Sequence, residues 1–265
     1  MDTNNMQMLV YVMGPAGSGK STFTANFRDW LQTQEVPVIT VNLDPAVENL
    51  EYVPDVDIRE HVFVRDVLEE YDLGPNGAII AATDLSLEHL PEIDKNIGEE
   101  SAAYVLVDTP GQMEVFAFRQ SGSIIVSSLC SARRLCAITF LLDATLSLDP
   151  YNLVSQMFLA ASAFYRFKLP LVVLLNKVDL ISENEKEKVL TWLSNPETLE
   201  EEIGSIPKDY DSHFTRSVTR VLTEFLTITP VVMTSAKKSE NFEEIYYYLQ
   251  QVYMGGEDFE TTHKD

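Results

Sequence analysis

The sequence predicts a three-layer α/β fold, with a mostly parallel central sheet, helices on both faces and helical insertions. Short apolar, β-rich runs recur at 6–13, 36–44, 102–108, 135–143, 170–176 and 230–236. They are continuously apolar rather than alternating, as strands buried on both faces must be. The stretches between them are predominantly helical, and parallel strands need such crossovers.

The first run ends in a glycine loop, and Phe23, Phe27, Trp30 and Leu31 then follow at helical spacing. The run 36–44 comes so soon afterwards that a right-handed crossover returns it parallel to the first strand, as a βαβ unit. Segments 45–101 and 183–229 exceed plain crossovers and are expected to form helical insertions. Residues 1–254 are expected to form a single domain, and the polar, Gly-rich stretch 255–265 a flexible tail.

The 265 residues carry 41 acidic and 19 basic side chains, a net charge of −22. That balance repels phosphodiester backbones and argues against direct nucleic-acid binding. No apolar run reaches the length of a membrane span, and the opening MDTNNMQMLVYVMG lacks a signal-peptide pattern. Cys130 and Cys136 stand six apart without a C-x-x-C pattern, so two free thiols in a reducing cytoplasm are expected, with neither a disulfide nor a zinc site. His61, His89, His213 and His263 are scattered and predict no metal site, and Met8, Met13, Met113, Met157 and Met233 read as core filler.

Chemistry enters at Gly14-Pro15-Ala16-Gly17-Ser18-Gly19-Lys20-Ser21-Thr22, which fits G-x-x-x-x-G-K-[ST] between a buried strand and an amphipathic helix. Glycines there let backbone N–H groups curl around phosphate oxygens at the positive end of a helix dipole. Lys20 is expected to bridge the β and γ phosphates, and Ser21 to ligate Mg²⁺ through a hard oxygen. Asp108 ends a buried strand and is the second expected Mg²⁺ ligand. In Asp108-Thr109-Pro110-Gly111-Gln112, the Gly111 amide can swing to a γ-phosphate and Gln112 can orient the attacking water.

Asn176-Lys177-Val178-Asp179 closes another strand. The Asp179 carboxylate can accept from guanine N1–H and N2–H₂, a pair of donors that adenine lacks. The Lys177 stem can pack along the base while Asn176 ties its loop to the phosphate loop. Thr234-Ser235-Ala236-Lys237 ends the last strand where a backbone amide can meet guanine O6. All these elements fall at carboxyl ends of strands, where open α/β sheets bind ligands. Together they predict a P-loop NTPase specific for GTP.

Taken with VNLDPAVE at 41–48 and Gly74-Pro75-Asn76, these motifs resemble the GPN-loop GTPases over nearly the whole chain. The resemblance implies a facing dimer, of two copies or with a paralogue, in which Asn76 reaches the partner's site to position water or stabilise the hydrolysed phosphate. It implies that Asp44 holds Mg²⁺ through water or polarises the nucleophile, and that RNA polymerase subunits are the client in an assembly process. Glu114 is a weaker candidate for the same water network. Arg59 and Arg119 read as surface ion pairs. Ser123–Leu129 reads as a buried helix, with a nucleotide-gated client groove as its alternative. Two competing activities stay open: a P-loop kinase phosphorylating a small acceptor, and a metal-insertion GTPase.

Overall fold

The computed structural model describes residues 6–112, 116–130, 134–205 and 212–253. Its sheet contains β1 (Gln7–Met13), β2 (Val38–Asn42), β3 (Val56–Asp57), β4 (Tyr104–Asp108), β5 (Arg134–Asp143), β6 (Leu171–Asn176) and β7 (Val231–Met233). The order is β3-β2-β4-β1-β5-β6-β7, and every pairing is parallel.

Strand pleating explains the unbroken apolarity of the central runs. Leu9, Tyr11, Met13, Val105 and Val107 face one core, while Met8, Val10, Val12, Tyr104 and Leu106 face the other. On the second face lie α1 (Lys20–Thr33), through Phe23, Phe27 and Leu31, and the last helix (Phe242–Tyr253), through Phe242, Ile245 and Leu249. The Phe27 and Phe242 rings meet edge to face at 5.2 Å, a preferred aromatic geometry.

Most of the remaining long helices cover the first face. Segment 45–101 supplies β3, α2 (Val64–Glu70), α3 (Pro75–Leu85) and α4 (Leu90–Glu99). Of these, α2 and α3 pack into a small cluster of their own. After β4 come α5 (Gln120–Leu129) and α6 (Pro150–Phe167). Segment 183–229 supplies α7 (Glu183–Ser194), α8 (Pro196–Ser205) and α9 (Ser212–Ile228), leaving Phe242–Tyr253 as α10. Residues 255–265 lie outside the described residues.

β2 is parallel to β1, as expected, with β4 between the two. Two features depart from the sequence reading. β3 has only two residues, too few to register as a periodic run. Cys130 and Cys136 form a disulfide with a Cα–Cα distance of 6.0 Å, which corrects the expectation of two free thiols. Cys130 directly follows α5 and Cys136 lies in β5, so the bond ties the end of that helix to the strand.

The apolar stretch 123–129 forms most of α5, with Ile125, Val126 and Leu129 in the core and Ile124 38% exposed. It is a packed helix face rather than an open groove. Gly122, one turn before Val126, backs onto the Phe116 carbonyl so closely that a Cβ would overlap it. Gly122→Ala is therefore expected to lower stability by about 1–3 kcal/mol, because backbone must move to make room. Urea denaturation of the two chains measures this, and an unchanged midpoint would show that the segment yields freely.

Candidate functional site: a phosphate loop facing two base-reading loops

The sheet register brings the site's residues to one edge. Val12 and Asn42 both align with Asp108, Met13 with Phe140, and Asp143 with Asn176. The carboxyl ends of five strands thus meet in a row, beside the start of α1.

Gly19 caps α1 with φ 94°, a left-handed conformation, and a Cβ there would lie 2.5 Å from Asn176 Nδ2. A Cβ on Gly14 would lie 2.5 Å from the Leu141 carbonyl oxygen. These positions hold the loop tight against β5 and β6. Gly17, also at positive φ, meets open space instead. Lys20 is 7% exposed, and its Nζ donates to the Gly14 and Pro15 carbonyls at 3.0 Å each. Burial lowers its pKa, against the pull of Asp108 and Asp44. The Ser18 hydroxyl is buried without a hydrogen-bond partner among the described residues. Ser21 and Thr22 are half-buried in the first turn of α1.

Across from Lys20, Asp108 accepts from the Ser21 hydroxyl and, at 3.2 Å, from Tyr52 Oη. Burial pushes its carboxyl up to about 6. Thr109 Oγ1 donates to the Val12 carbonyl at 2.8 Å, pinning the turn that leads to Gly111. Asp44 accepts the Ala46 amide at 2.9 Å through one oxygen and the Gly111 amide at 3.4 Å through the other. Burial raises its pKa, with those two amides and the positive charges of Lys20 and Arg59 opposing. Gln112 is half-buried at the end of the same turn. Glu114 lies outside the described residues.

Asn176 links the two halves of the site. Its Nδ2 donates to the Ser18 carbonyl at 2.8 Å and its Oδ1 accepts the Ala236 amide at 2.8 Å. Lys177 has φ 68°, a strained conformation for a side-chain-bearing residue, and its ammonium pairs with Asp143 at 2.6 Å. Ser235 Oγ donates to Asp179 Oδ1 at 2.7 Å, which fixes the carboxylate's direction. With the Ala236 amide committed to Asn176, Lys237 offers the next N–H of this loop.

A family model described as "Conserved hypothetical ATP binding protein" matches residues 12–255. A GTPase from Pyrococcus abyssi, solved in apo form, has a TM-score of 0.81 and 32% identity, covering 93% of this chain and 97% of that one. GPN-loop GTPase 3 of Eremothecium gossypii is 33% identical over 253 residues, 94% of this chain and 92% of the relative. The chain belongs to the GPN-loop GTPase family. GPN-loop GTPase 1 of Dictyostelium discoideum is also similar, at 32% identity over 257 residues, although the chain spans only 63% of that relative's length.

The tripeptide behind the family's name, Gly74-Pro75-Asn76, starts α3 with Pro75 in its first turn, where a missing N–H costs nothing. All three residues are exposed, and the Asn76 side chain makes no hydrogen bond among the described residues. Among the described residues, no hydrogen bond joins Asn76 to the phosphate loop. The structure also adds Tyr52 and Asp143, which the sequence reading left out. Asp143 was within reach, since it ends a strand at the ligand edge; Tyr52, in an irregular loop, carried no signal. Arg59 and Arg119 are ion-paired, with Asp57 at 2.6 Å and Asp84 at 2.8 Å.

The histidines require a correction. His61 and His89, 28 positions apart in sequence, stack at a ring separation of 4.9 Å beside Glu92. His263 and the side chain of His213 lie outside the described residues. No helix among the described residues is long and apolar enough to cross a membrane.

Proposed function

We propose that this chain binds GTP with Mg²⁺ and hydrolyses it to GDP and phosphate, as a nucleotide-gated dimer serving an assembly process. The observation that carries the reading is the Asn176 bridge. One side chain fixes the phosphate loop and the base-reading loop relative to each other, while Ser235 aims Asp179 for a base with two adjacent donors. This supports guanine over the adenine nucleotide in the family model's description.

The residues present fit Mg²⁺. Ser21 and Asp108 set two hard oxygens side by side, the donor type that Mg²⁺ prefers. These two residues would hold Mg²⁺, which would supply charge neutralisation at the phosphates. Lys20 and the loop amides of Gly14, Gly17, Ser18, Gly19, Ser21 and Thr22 stabilise the charge that builds as water attacks the γ-phosphate in line. Gln112 and Asp44 orient that water. The Lys177 stem packs on the base, and the Lys237 amide, beside Ala236, meets its carbonyl.

The exposed, unpartnered Asn76 supports completion of the site in trans, by a second copy or a paralogue. Closing two such sites on GTP and releasing them after hydrolysis gives the cycle an assembly factor needs. RNA polymerase subunits are the client class that goes with the family resemblance, and the cytoplasm is the compartment that goes with this reading. Asn76→Ala is expected to lower turnover by about 10²-fold, the usual cost of losing one transition-state contact. Mixed with a Lys20→Ala chain, it should recover activity that neither has alone, because one hybrid site then holds both residues. Full activity of Asn76→Ala, or a mixture as inactive as its parts, would sink the in-trans reading. Label transferred from GTP to an acceptor other than water would replace hydrolysis with a kinase reaction.

A further inference from the structure

We infer that His61, His89 and Glu92 form a binding site for a transition-metal dication, zinc in the first instance, at the base of the hairpin that carries Gly74-Pro75-Asn76. Their ligand atoms all lie within 4.8 Å of one another. His61 Nδ1 stands 3.7 Å from Glu92 Oε2, and the two imidazoles lie nearly parallel, 17° apart. Ligand atoms around tetrahedral zinc sit roughly 3.3 Å apart. The stacked rings direct their in-plane lone pairs side by side, so sharing an ion requires one imidazole to turn out of the stack, a turn open to two half-buried histidines beside an exposed Glu92. Imidazole ligands select against Mg²⁺ and Ca²⁺, which demand oxygen. Two histidines and one carboxylate leave a fourth position for water.

The three ligands come from two separate stretches. His61 follows the 3-10 turn Ile58–Glu60 after β3, whereas His89 ends the 3-10 turn Ser86–His89 and Glu92 lies in the first turn of α4. Between these stretches runs the α2–α3 hairpin, with Gly74-Pro75-Asn76 at its far tip. The hairpin's own core is small: Val62, Val67 and Ala82, with a few half-buried neighbours, apart from the two clusters that flank the sheet. An ion joining His61 to His89 and Glu92 would cross-link the two strands of chain entering and leaving this weakly packed unit. It would narrow the range of positions open to Asn76.

This inference does not depend on GTP hydrolysis. The test uses the full untagged chain saturated with Mg²⁺ and GDP, so that the Ser21–Asp108 region does not compete. Titration with Zn²⁺ should give one tight site per chain, and Co²⁺ should give the intense visible bands of a four-coordinate ion. His61→Gln and His89→Gln should each weaken Zn²⁺ about tenfold or more and remove the Co²⁺ bands, while circular dichroism shows both variants folded. Zn²⁺ should slow proteolytic nicking within Val64–Leu85 in the wild type and not in the variants. Equal affinity in wild type and variants, or no Co²⁺ bands, would overturn the site. Binding without protection of the hairpin would overturn its role as a tether.

Discussion

Asp179→Asn is expected to weaken GTP binding by about 10²-fold or more and to raise affinity for xanthosine triphosphate. Each charge-assisted hydrogen bond contributes about 1.5–3 kcal/mol, and guanine N1–H and N2–H₂ both direct donors at the carboxylate. Asparagine replaces one acceptor oxygen with an N–H₂ donor, which faces the guanine amino group unfavourably. Xanthine carries a carbonyl at that carbon and so accepts from the new amide. Shape is conserved, and the Ser235 hydroxyl that now bonds Asp179 at 2.7 Å retains an oxygen partner, so the fold should be unaffected. Competition of both nucleotides against a fluorescent GDP analogue, with a thermal melt beside it, measures the exchange. Undiminished GTP affinity would mean that Asp179 does not read the base.

Lys20→Ala should reduce GTP hydrolysis by about 10²- to 10³-fold, as expected when a preorganised cation is removed from a developing negative charge. The residue's surroundings set that size. Lys20 is almost wholly buried beside Asp44 and Asp108, and burial lowers its pKa because its ammonium loses hydration, against the pull of both carboxylates. The substitution also leaves the Gly14 and Pro15 carbonyls without the donor they have at 3.0 Å, so the loop loses part of its internal support. Phosphate release under single-turnover conditions separates the chemical step from nucleotide affinity. Hydrolysis within a factor of a few of wild type would remove Lys20 from the reaction.

Local chemistry made much of this site legible. A glycine-rich loop between strand and helix, an aspartate ending a buried strand and an N-K-x-D run each carry their stereochemical reason within a few residues. Strand existence was equally plain, because parallel strands buried on two faces read as apolar runs. Adjacency was not plain, since nothing local to β1 or β2 says that β4 will separate them. The same limit hid Tyr52 at Asp108, the Cys130–Cys136 pair and the approach of His61 to His89. These contacts join segments whose approach periodicity does not encode. Two residues of β3 are simply too short a signal.

The hydrogen bond from the Gly111 amide to Asp44 bears on how the molecule changes state. An amide waiting for a γ-phosphate is usually pictured as reaching out from water, but here it already has an anionic acceptor inside the protein. At 3.4 Å this bond is long, so engaging GTP would exchange a weak contact for a closer one, and the γ-phosphate would draw the turn from Asp44 by that difference. Asp44 would serve as a resting place that keeps the turn ordered between rounds, so that each round starts from a defined loop rather than a loose one.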